Sequence, residues 1–70
     1  MQKQWYNKGV ALLALGEDKE AIKCFDEAIK INPNFARAWH NKGVALRNLG
    51  KNEEAVKCFD KAKNISSSNI

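Results

Sequence analysis

Few residues in this chain could do chemistry. His40 is the only histidine, and no nucleophile or carboxylate lies near it in sequence. It reads as a polar surface residue, not a general base. Cys24 and Cys58 are 34 positions apart. Two cysteines and one histidine fall short of the four ligands a structural zinc site takes, so no metal and no cofactor is expected. "NIS" at 64–66 has the form of a glycosylation acceptor, yet nothing else suggests secretion. Charge is more informative. The chain of 70 residues carries a net charge of +4, with no Asp or Glu in residues 1–16 or 28–52. Lys3, Lys8, Arg37, Lys42 and Arg47 fall inside those acid-free spans. Such a surface favours an anionic partner and speeds encounter with it. Nucleic acid is not the expected one, because the basic residues lack the interleaved aromatics of a single-strand site. No apolar run approaches the roughly 18 residues that span a bilayer. The N-terminus has no signal-peptide core, so a cytoplasmic location is the default expectation.

The elements that position these residues follow from a repeat. "WYNKGVALLALG" at 5–16 returns as "WHNKGVALRNLG" at 39–50. Trp5, Gly9, Gly16, Ala21, Phe25 and Ala28 recur as Trp39, Gly43, Gly50, Ala55, Phe59 and Ala62, always 34 residues on. Aligning 5–31 with 39–65 gives 17 identities in 27 positions. A fixed period of this size marks stacked supersecondary units. Trp5, Gly9 and Leu12 fall on one helical face. Gly16 stops that helix in the left-handed conformation. Asp18, Asn34 and Asn52 stand where helix caps are expected. Ala21, Ile22, Phe25, Ala28 and Ile29 form a stripe too wide for one neighbour, so the second helix should touch two. Pro33 disfavours helix before it and ends the unit. Four helices are expected, near 2–15, 19–31, 35–49 and 53–65, with no strand. The repeats would span 2–35 and 36–66, with a tail at 67–70. Equivalent positions in stacked units lie about 8–10 Å apart, beyond the roughly 7 Å limit for Cα atoms of a disulfide. Cys24 and Cys58 are therefore read as small buried side chains.

This pattern resembles the tetratricopeptide repeat, a 34-residue helix–turn–helix unit. The first copy supplies Trp5, Gly9, Leu12, Ala21, Phe25, Ala28 and Pro33, and the second supplies Trp39, Gly43, Leu46, Ala55, Phe59 and Ala62; Ser67 replaces the last proline. The resemblance implies an all-α superhelix of two stacked units and a non-enzymatic module. It implies a concave groove, lined by the first helix of each repeat, that binds a peptide or partner helix. Positions left free by the packing stripe then face the groove: Lys3, Tyr6, Asn7, Val10, Leu13 and Ala14 in the first copy, and Arg37, His40, Asn41, Val44, Arg47 and Asn48 in the second. Lys3, Asn7, Arg37 and Asn41 look like a fragment of the family's clamp for a C-terminal carboxylate, which draws on three repeats. The bland alternative is that these positions are solvent-exposed and free to drift.

Arrays of this family usually have three repeats or more and a covering C-terminal helix. Here Ile29 has become Lys63 on the face a third repeat would cover, while Val56, Phe59 and Ala62 stay apolar. Such a chain is expected to self-associate in isolation through Val56, Phe59 and Ala62, by end-to-end stacking or by exchange of a helical element at the Asn32–Asn34 hinge. A structural, self-assembling unit is thus the alternative to a peptide binder.

Overall fold

The computed structural model describes residues 2–67, so most of the expected 67–70 tail lies outside the described residues. Four α-helices follow one another: α1 (Gln2–Ala14), α2 (Asp18–Ile31), α3 (Ala36–Asn48) and α4 (Asn52–Ser67). Among the described residues there is no strand. Each helix packs chiefly on its neighbours in sequence, and α1 touches α3 only lightly.

The two glycine turns are the same structure made twice. Gly16 and Gly50 both have φ of 81°, a value that only glycine adopts at little cost. The Gly16 N–H donates to the Leu13 carbonyl and the Glu17 N–H to the Leu12 carbonyl, at 3.1 and 2.8 Å. The Gly50 and Lys51 N–H groups do the same to Arg47 and Leu46, both at 2.9 Å. This double bond is the Schellman stop, which satisfies carbonyls the helix end would orphan.

The expected helix caps do not form. Asp18 and Asn52 are the first helical residues, not the caps, and the cap positions Glu17 and Phe35 make no side-chain cap bond. The Asn32 Oδ1 accepts the Asn34 N–H at 3.1 Å and closes the turn between repeats. The Asp18 carboxylate accepts from Asn48 instead. A partner across the repeat boundary wins over the local N–H.

The core has two parts. Ala21, Phe25, Ala28 and Ala38 are fully buried, with Tyr6, Leu12, Leu13, Ile29 and Phe35 packed round them. Leu46, Ala55 and Cys58 form the second part, with Ile22, Trp39 and Phe59. Ile22 of α2 thus belongs to the core of the second repeat, which joins the two units. The close pairing within each unit depends on a missing side chain. A Cβ added at Gly9 would stand 2.6 Å from the Phe25 ring, and one at Gly43 would stand 2.6 Å from the Phe59 ring.

Candidate protein-interaction site

The predicted groove residues lie on α1 and α3, and the cavity that gathers several of them is closed by α4. Tyr6 lies half-buried, its ring centroid 4.9 Å from that of Phe35 and 6.0 Å from that of Phe25. Its hydroxyl accepts an N–H from the Asn41 side chain at 3.1 Å, so these two predicted residues are tied to each other across the repeats. His40 is exposed, with its ring 5.1 Å from that of Phe59. Tyr6, Arg37, His40 and Asn41 meet in one cavity of about 340 Å³, completed by Ala36 and by Phe59, Ala62, Lys63 and Ser66 of the last helix. No acidic residue lines it. Lys3, Asn7, Val10 and Arg47 are exposed outside that lining, and Val44 is half-buried. Asn48 donates to the Asp18 carboxylate at 3.2 Å and so braces the repeat junction.

The apolar face expected on α4 is largely closed. Ala62 is only 7% exposed and Phe59 is half-buried, while Val56 is 54% exposed. The cause is Gly43, which lets the Phe59 ring settle on the α3 backbone. What stays open of Phe59 and Ala62 lines the concave cavity, so part of the predicted face and part of the predicted groove are one place. Lys63, read only as a charge at an open end, joins the lining.

Two of the five basic residues on the first helices leave the concave side. Lys42 Nζ pairs with Asp26 Oδ1 at 2.6 Å, lies 5.6 Å from the Trp39 ring centroid and is mostly buried. The Trp39 indole N–H donates to the Pro33 carbonyl at 2.9 Å. Lys42, Asp26, Ile22, Leu46, Glu54 and Cys58 share a cleft of about 700 Å³ between the repeats. Lys8 takes the matching place one period earlier, 5.7 Å from the Trp5 ring. The sequence held a signal for this, since Lys8 and Lys42 follow Trp5 and Trp39 by three residues, one helical turn along the packing face. Cys24 and Cys58 are both free and buried. Burial pushes the Cys58 thiol above its ordinary pKa, with Lys42 opposing and Asp26 and Glu54 reinforcing that shift. Among the described residues no group of three or more His, Cys, Asp or Glu could hold a metal.

Tetratricopeptide-repeat family models match residues 3–35 and 24–57. The chain belongs to the tetratricopeptide-repeat family. Two solved structures of MamA are similar to it. One superposes with a TM-score of 0.94 at 32% identity over 99% of this chain and 40% of that one. The other gives 0.89 at 33% identity, over 96% of this chain and 37% of that one. The chain therefore spans about two fifths of the length of these solved relatives. No curated protein matches.

Tetratricopeptide repeats mediate protein–protein interaction, and the two sides of this pair of repeats differ in kind. The cavity between α3 and α4 is basic and aromatic. The cleft between repeats is a packing seam carrying a partly buried ion pair. Among the described residues, no helix is long and apolar enough to cross a membrane.

Proposed function

We propose that this pair of tetratricopeptide repeats is a non-enzymatic binding module that takes an anionic peptide, or one ending in a free carboxylate, on its concave side. One observation carries the reading. Arg37, His40, Asn41 and Lys63 converge on a single cavity floored by Tyr6 and Phe59, with no acidic residue in its lining. Arg37 offers a planar fork of donors suited to a carboxylate, and Lys63 offers a mobile charge beside it. The aromatic floor gives an apolar side chain somewhere to lie. Lys3 and Arg47, both exposed, extend the positive field and speed encounter. Asn41 is committed in part to Tyr6, so its remaining capacity is the carbonyl and one N–H.

The test is a calorimetric titration of an acidic peptide with a free C-terminus and of its amidated form, each at low and high salt. The expected outcome is weaker binding on amidation and at high salt, with Arg37→Ala and Lys63→Ala each lowering affinity. Equal affinity in all four conditions overturns the reading.

A further inference from the structure

Helices α1 and α4 carry the two halves of the seam that joins the repeats, and we propose that a second copy docks α1 onto α4 of the first, head to tail, with Lys8 of one copy paired to Asp60 of the other. This goes beyond the peptide-binding reading, and a docked α1 would lie over Phe59 and Ala62 as α3 lies over Phe25 and Ala28, so copy and peptide would compete for the same cavity.

The template is the junction already formed inside the chain. Ile22 of α2 packs against the Leu46, Ala55 and Cys58 cluster that Trp39 also joins, while Asp26 beside it holds Lys42. One period on, α4 presents Val56 in place of Ile22 and Asp60 in place of Asp26. One period back, α1 and α2 present Trp5, Lys8, Leu12 and Cys24 in place of Trp39, Lys42, Leu46 and Cys58. The donor half is therefore Val56 and Asp60, and the acceptor half is Trp5, Lys8, Leu12 and Cys24.

Val56, Asp60, Trp5 and Lys8 are open, while Cys24 is already buried and Leu12 is packed against the first core cluster. Val56 is 54% exposed and Trp5 36% exposed; Lys8 and Asp60 are exposed. Neither Lys8 nor Asp60 has an ion-pair partner among the described residues. Lys8 lies 5.7 Å from the Trp5 ring, matching the 5.6 Å of Lys42 over Trp39. The acceptor thus holds its cation in the internal geometry before any partner arrives, which lowers the ordering cost of docking. Trp5, Lys8 and Cys24 also line a recess of about 530 Å³, the end-of-chain counterpart of the cleft between repeats.

Charge selects the occupant. A helix seated on α4 must bring a cation to Asp60 and an aromatic or aliphatic surface to Val56, and α1 of this chain brings both. Several positions depart from the template: Ala14 and Asn52 replace the hydrogen-bonded Asn48 and Asp18, and Glu27 replaces the Lys61 that lies over Trp39. His40 replaces Tyr6 and Lys63 replaces Ile29 on the donor, while Gln4 replaces Ala38 on the acceptor. These changes weaken the seam at its edges and leave Val56 and Asp60 facing Trp5 and Lys8 as the contacts that carry the docking. The contact is heterologous, so it does not close on itself and grows with concentration.

The experiment is sedimentation velocity on the full chain, without peptide, from micromolar to millimolar concentration. Wild type is compared with Lys8→Glu, with Asp60→Lys, and with the two variants mixed in equal amounts. Circular dichroism confirms that each variant is folded, as expected for exposed positions. Mass is expected to rise with concentration for wild type and for the mixture, where every seam again joins opposite charges. Each variant alone is expected to stay monomeric. A monomeric wild type at all concentrations, a single variant that associates as wild type does, or a mixture that stays monomeric overturns the proposal.

Discussion

Phe25 and Phe59 hold the same place in their repeats, and each rests on a glycine of the paired helix. Phe25 is fully buried because α3 lies across its outer side, bringing Phe35 and Ala38 to that cluster. Among the described residues no helix lies over Phe59, and its outer side faces the cavity and His40. The same side chain is structural where a neighbour covers it and available for binding where none does. In this family the position of a repeat in the stack decides the role of its residues as much as their identity does.

The sharpest way to break this comparison is to truncate both rings. Phe25→Ala is expected to cost roughly 3–5 kcal/mol, comparable with the whole stability of a small domain. Phe59→Ala is expected to cost about half as much, because the ring is only half-buried. Thermal melts followed by circular dichroism compare the two directly. Equal losses would mean that α3 adds nothing to the environment of Phe25.

A smaller effect comes from the glycines beneath the rings. Alanine gains about 1 kcal/mol of helix propensity over glycine at either site. At Gly9 the new methyl group meets an enclosed ring, and overpacking of about 1–3 kcal/mol dominates. At Gly43 the ring can give way toward the cavity, although the Ala55 carbonyl stands 3.1 Å away. Gly9→Ala should therefore lower the melting temperature, and Gly43→Ala should leave it nearly unchanged. The order reverses if the Phe59 ring is held more tightly than its exposure implies.

The smallest difference concerns the acids of the seam. Asp26→Asn removes the partner of a mostly buried Lys42 and is expected to cost about 0.5–1 kcal/mol. Asp60→Asn, measured by urea denaturation at concentrations too low for association, should cost nothing resolvable. A similar cost at both positions would show that the Lys42 pair contributes little.

Much of the fold was legible because packing residues must repeat when packing geometry repeats. Gly16, Gly50, the Phe25 and Phe59 stripes and Pro33 place four helices within a few residues of where they lie. The side-chain partners were not legible to the same degree. Asp18 has the type and place of a cap, yet it bonds Asn48, thirty residues away. Lys42 counts as a basic residue of the groove helix by composition, yet it turns to the opposite side to meet Asp26. Ala62 reads as part of an open face, yet it is only 7% exposed. Each of these choices is made between helices, where three-dimensional distance rather than sequence spacing selects the partner. Lys63 is the instructive case, because its substitution for Ile29 was visible while its place beside Arg37 and His40 was not.

Because each helix rests chiefly on the one before it and the one after it, the chain closes only short loops as it folds. Short closures cost little entropy, and proteins dominated by local contacts cross their folding barrier quickly. Either helical hairpin can nucleate, and the other can then zip onto it across the Ile22 seam, as in a one-dimensional array. Among the described helices, unravelling should begin at α1 or α4, which each rest chiefly on one neighbour, and reach last the α2–α3 junction, which has a neighbour on both sides. The fold is in this respect a short thread of contacts, with its slowest-exchanging amides in the middle and its least protected ones at the ends.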